Sequence, residues 1–120
     1  MTFRDLFEGM HRKDPLISGG ALAGSDGLSV EEWKANPAAD RDLNELCAEM
    51  AQFFKESGRI ATETGLGAVR EVFVAGEQGL IFVRRVTDDY FLLLVAAPQA
   101  VQGKCRFLLR QGARQVQGML

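Results

Sequence analysis

Histidine is nearly absent from this 120-residue chain and cysteine is scarce: His11 stands alone, and Cys47 and Cys105 are the two cysteines. Acid–base and metal chemistry need such groups brought together. A single histidine at the end of a terminal helix reads as a capping or surface residue, and no His, Cys or carboxylate cluster has metal-ligand spacing. The cysteines lie far apart with no CxxC spacing, which suggests a reducing compartment and no disulfide frame. Each falls on an apolar helical face, where cysteine behaves as a small hydrophobe; a reactive thiol needs an exposed, electropositive setting. No stretch is long and apolar enough to span a bilayer and no signal peptide opens the chain, so the expectation is a cytoplasmic protein that does not bind membrane. An excess of basic charge is missing too. The 14 Lys and Arg against 16 Asp and Glu give a net charge of -2. That argues against bulk electrostatic binding to nucleic acid or an anionic surface. No repeat, low-complexity tract or linker divides residues 1–120, which are read as one domain.

What is present is ordinary for a folded chain: 47% hydrophobic and 25% charged residues. Its organising stretch is Tyr90-Phe91-Leu92-Leu93-Leu94-Val95-Ala96, apolar at every position. A strand with one wet face would alternate, so this short run predicts a central strand buried on both faces. Asp88-Asp89 turns into it and Pro98 stops it. The expected fold is therefore a sheet covered by helices on both sides.

From the start of the chain, Thr2 and Asp5 have capping-box spacing. Phe3, Leu6, Phe7 and Met10 follow at helical spacing, predicting a short amphipathic helix over 2–11. Residues 16–23 read as a strand with two glycines, Gly19 and Gly20. No Gly-Lys-Ser/Thr follows to make a phosphate cradle, so these glycines are assigned to close helix–sheet packing. Asp26-Gly27 marks a hairpin into an alternating strand, 28–33. A long helix follows, entered either by Asn36 as cap with Pro37 at its first position, or by Asp40 as cap of a later start. Its apolar face is expected to carry Leu43, Leu46, Cys47, Met50, Phe53, Phe54, Ser57, Ala61 and Thr64. Residues 68–75, 80–86 and 90–96 are joined by turns too short for a parallel crossover and must form an antiparallel meander. A last amphipathic helix follows Pro98, with a frayed tail over 117–120.

This order of elements, with Ala21-Leu22-Ala23-Gly24-Ser25-Asp26-Gly27-Leu28 at the first hairpin, resembles the Roadblock/dynein light chain family from about Leu6 to Val116. The resemblance implies an α+β, profilin-like fold: a five-stranded antiparallel sheet of order 2-1-5-4-3. The long helix lies on one face and the terminal helices on the other. It also implies a non-enzymatic regulator or scaffold without a cofactor, dimeric through its third strand and long helix. The partner would be a Ras-like small GTPase, whose hydrolysis an activator would stimulate. The chain's length is similar to the bacterial branch, which includes a gliding-motility regulator. The alternatives are a structural adaptor of the dynein light chain kind and a PAS-like small-molecule sensor. PAS domains break the middle segment into short helices, whereas one amphipathic pattern runs here from Leu43 to Thr64.

Two sets of residues follow as candidates. The outward face of the long helix, Glu45, Gln52, Lys55, Glu56 and Arg59, is expected to bind the partner. Leu46, Met50, Phe53, Val69, Arg70, Val72 and Val74 are expected to form the dimer interface, with the two-fold axis on Val72 so that Arg70 and Glu71 avoid their own copies. Arg59, Arg41 and Lys55 are the candidate basic residues on the helix, and none is assigned as an arginine supplied to a GTPase. Glu31-Glu32 and Asp88-Asp89 are read as a solvated strand end and turn, not acid–base pairs. Arg84-Arg85 point to opposite faces of a strand and cannot form one phosphate fork.

Overall fold

A computed structural model describes residues 1–120. In chain order it contains α1 (Phe3–Lys13), β1 (Ile17–Gly24), β2 (Ser29–Lys34), α2 (Leu43–Glu63), β3 (Glu71–Gly76), β4 (Gly79–Arg85), β5 (Tyr90–Ala96) and α3 (Gln102–Met119). The strands form one antiparallel sheet in the order β2-β1-β5-β4-β3. The apolar run is β5 with its expected bounds, paired to β1 and β4, and residues 91–96 are all buried. Successive side chains alternate across the sheet. Phe91, Leu93 and Val95 pack with Leu43, Cys47, Met50 and Ala51 of α2. Leu92, Leu94 and Ala96 pack with Leu6, Phe7 and Met10 of α1 and with Cys105, Leu108, Leu109 and Val116 of α3. Each large apolar side chain buried in this way contributes roughly 1.5–3 kcal/mol before ordering costs. The two cysteines, both free and buried, therefore lie on opposite faces of the sheet.

Local chemistry explains the element ends. The Thr2 hydroxyl accepts from the Asp5 amide at 3.1 Å and the Asp5 carboxylate accepts from the Thr2 amide at 3.0 Å, closing the capping box of α1. The first hairpin turns at Gly27, whose φ of +90° suits glycine. Gly20 answers to packing: a Cβ there would lie 2.5 Å from the Phe7 ring. His11 sits near the end of α1 with Nδ1 2.7 Å from the Ile17 carbonyl, its ring tilted against Trp33.

The structure corrects several expectations. Helix α2 is capped neither by Asn36 nor by Asp40 but by Asp42, whose carboxylate accepts from the Glu45 amide at 3.0 Å. Several residues able to cap crowd that entry, and the one that wins is set by where the core takes up Leu43. Strand β3 starts at Glu71 rather than at residue 68, which leaves Val69 and Arg70 outside it. On α2, Ala51 is buried while Phe53 is 49% exposed, so the core-facing arc is narrower than the apolar face read from spacing. Strand β2 shows little inward alternation: Trp33, stacked on Phe7 of α1, is half-buried, while Val30, Glu31 and Glu32 are exposed. Helix α3 continues through residue 119, so the tail is helical rather than frayed.

Candidate partner-binding surface

The outward face of α2 and the open edge of β3 form the surface where the candidate residues gather. Glu45, Gln52, Lys55, Glu56 and Arg59 are all exposed. Four of them, Gln52, Lys55, Glu56 and Arg59, line one depression of about 450 Å³ together with Glu49 and Phe53. Glu45 lies at the first turn of the helix, outside it. Arg59 donates to Glu56 one turn before it and to Glu63 one turn after it, the latter at 3.1 Å. These hydrogen bonds hold the Glu56 carboxyl below the usual range and raise Arg59. Arg59 is therefore engaged on its own helix.

Of the candidate interface residues on α2, Met50 is buried against the sheet and is not available to a second chain. Leu46 is half-buried, and Phe53 and Ile60 are 49% and 51% exposed. These three recur every seven residues. At 100° per residue they fall about a quarter turn from the core-facing line. Ile60 belongs to this seam although spacing from the core pattern did not select it; the heptad from Leu46 and Phe53 was the signal for it.

On β3, Val72 and Val74 pack toward α2, and Phe73 stacks on Phe82 at 4.7 Å on the other face. Val69 is half-buried and Arg70 exposed, both just before the strand. The Arg85 amide donates to the Arg70 carbonyl at 2.9 Å. Antiparallel alternation then directs the N–H and C=O groups of Val72 and Val74 to β4, and those of Glu71, Phe73 and Ala75 to the open edge. Glu71, expected as a charge on that edge, is instead drawn over the α3 face. Its Oε2 lies 3.0 Å from Arg106, 3.2 Å from Arg110 and 3.8 Å from Arg84.

Burial, reinforced by Glu32, pushes the Cys47 thiol up to about 11. Burial, with the Asp14 carboxylate beside it, does the same to Cys105, also to about 11. No group of His, Cys, Asp and Glu is arranged to hold a metal ion, and no helix is long and apolar enough to cross a membrane.

The Roadblock/LC7 domain model matches residues 12–96. Among solved structures, MglC from Myxococcus xanthus is 31% identical, with all of both chains covered and a TM-score of 0.69. The gliding protein MglB from Thermus thermophilus is 18% identical over 94% of this chain and 84% of that one, with a TM-score of 0.84. Profilin II of Acanthamoeba castellanii, 13% identical, superposes over 98% of each chain with a TM-score of 0.68, so the fold is profilin-like. No curated protein matches the chain in sequence.

Proposed function

The chain belongs to the Roadblock/LC7 domain family, and we propose that it is a non-enzymatic homodimeric regulator or scaffold that binds a Ras-like small GTPase, in a gliding-motility system like that of the Thermus neighbour. The observation that carries this reading is the meeting of two unfinished surfaces. The β3 edge presents hydrogen-bonding groups with no partner, and the Leu46–Phe53–Ile60 seam leaves two large apolar side chains half-exposed. A two-fold axis on Val72 joins Glu71 of one copy to Phe73 of the other through edge-directed groups and sets the seams against each other. Such pairing extends the sheet to ten strands and places two outward faces of α2 side by side.

The GTPase would dock on that paired face, through Gln52, Lys55, Glu56 and Arg59. Because Arg59 is held by Glu56 and Glu63, any stimulation would come from ordering the GTPase's own groups rather than from an arginine supplied in trans. The same observation favours a second reading, an adaptor with the same dimer and no effect on turnover. Titration of the chain into Ras-like GTPases of its own genome, with GTP turnover as readout, separates the two. Light scattering at micromolar concentration should give a dimer; a monomer defeats both. Reversing charge at Lys55 and Arg59 together should weaken GTPase binding at least tenfold with the fold intact by circular dichroism, and unaltered affinity would remove the GTPase from this face.

A further inference from the structure

At the corner of the sheet where β3 begins, between the end of α2 and α3, arginine is concentrated to a degree the composition does not suggest. Six of the ten arginines, Arg70, Arg84, Arg85, Arg106, Arg110 and Arg114, line one open cavity of about 1040 Å³ at the start of β3. They come from three places: the segment before β3, the end of β4, and one stripe of α3. Glu71 is the one acidic residue of the lining. The cavity thus carries a net charge of +5 in a chain whose net charge is -2. Cations gathered in this way repel one another, and an anion among them relieves the repulsion.

Glu71 shows what the cavity accepts. Its carboxylate takes hydrogen bonds from Arg106 at 3.0 Å and Arg110 at 3.2 Å, with Arg84 at 3.8 Å. One carboxylate cannot satisfy six guanidinium groups with five donors each. Arg85 has Asp88 at 3.9 Å, Arg70 and Arg114 have no ion-pair partner, and the Glu71 Oε1 and Arg106 Nε atoms are buried without any hydrogen bond. Arg106 Nε is thus a buried donor without an acceptor, and the guanidinium groups of Arg70 and Arg114 face the cavity without a carboxylate.

We propose that this cavity is a docking site for an acidic peptide segment of a protein partner, read through its carboxylates. The shape of the charge selects a peptide over a lone anion. Arg106, Arg110 and Arg114 recur every four residues and extend over roughly 12 Å of helix. About four residues of extended chain cover that length. Guanidinium forks match carboxylates two bonds at a time. Leu66, 81% exposed, stands at the rim and adds an apolar contact beside the arginines. The site lies apart from the outward face of α2 and stands whether or not a GTPase binds there.

The test uses the full chain and a fluorescein-labelled decaglutamate peptide, read by anisotropy at 50 mM and 200 mM salt. Micromolar binding at low salt is expected, weakening as salt screens it. The Arg110→Glu/Arg114→Glu variant should lose at least tenfold in affinity, while Lys55→Glu/Arg59→Glu should lose none. If the double variant does not fold, Arg114→Gln, which breaks no ion pair of the native protein, should still lose two- to threefold. Light scattering and GTPase titration on the Arg110 and Arg114 variants should match wild type, so this proposal and the GTPase reading can fail separately. Absence of peptide binding at 50 mM salt, or equal affinity in wild type and in the folded arginine variants, overturns the proposal. So does competition by pyrophosphate or by oligodeoxythymidylate as strong as that by unlabelled decaglutamate, since either would make the cavity a phosphate site.

Discussion

The two edges of the sheet are finished in opposite ways. Edge β2 carries Glu31, Glu32 and Lys34 among its six residues, on a strand paired to β1 on one side only. Charges on an exposed edge oppose pairing, because a neighbouring strand would have to desolvate them. Edge β3 carries a single charge, Glu71, and its carboxylate is turned away to arginines on the α3 face. Val72, Phe73 and Val74 complete its centre. Both strands pair on one side only, and their sequences differ in whether a second chain would be refused. One edge is blunted by charge and the other is not. The exposed Leu28 and Val30 of the β2 side do not alter this contrast, since Ser29 separates them and Glu31 and Glu32 follow.

The largest effect is expected from loosening the open edge from beneath. Phe82 is fully buried and holds β3 through its stack on Phe73. Phe82→Ala should cost about 3–5 kcal/mol in denaturant unfolding. Hydrogen exchange should speed up in β3 and β4 before β1 and β2. A uniform rise over the sheet would mean that the two edges are one cooperative unit.

A smaller effect tests the edge alone. Ala75 is exposed and its amide faces outward, so Ala75→Pro removes a donor from the open edge without touching the β4 ladder. Proline at Val72 would instead break that ladder, since its amide points to β4. Ala75→Pro should raise the dimer dissociation constant about tenfold, roughly 1.4 kcal/mol, and Val30→Pro on the other edge should leave it unchanged. Equal responses from the two edges would erase the contrast between them.

The smallest effect concerns the core that both edges share. Cys47 and Cys105 are raised from an ordinary 9.0 to about 11 by burial on opposite faces of the sheet. The folded state prefers both thiols protonated. Their contribution is therefore fully present below pH 9, is lost as pH rises from 9.0 toward 11, and is flat beyond. Thiol labelling at pH 8 should be slow for both and should become fast only on unfolding. Fast labelling of one cysteine alone would show that its face of the sheet opens locally.

Much of this architecture was already legible in residues that act on near neighbours. The all-apolar run at 90–96 determined a strand buried on both faces, because no exposed position could tolerate that pattern. Thr2 and Asp5 determined the start of α1, since a capping box closes within four residues. Asp26-Gly27 determined the first hairpin, and the two glycines after Ser18 announced the close approach that Phe7 makes. The outward face of α2 followed from helical period alone. What remained undetermined depends on distant groups. Whether Asn36, Asp40 or Asp42 caps α2 was decided by the position of Leu43 in the core, and whether Phe53 is core or seam by the limited width of sheet that one helix can cover. The arginine cavity was invisible in the sequence: Arg106 and Arg110 lie 35 and 39 residues from Glu71. Their charges are diluted in a near-neutral chain, and only the packing of α3 across β4 brings them to one carboxylate. Periodicity records which face a residue takes, because it is set by backbone geometry over a few residues. Which faces meet is settled by the tertiary fold, because burial is a property of the whole sheet and its two layers of helices.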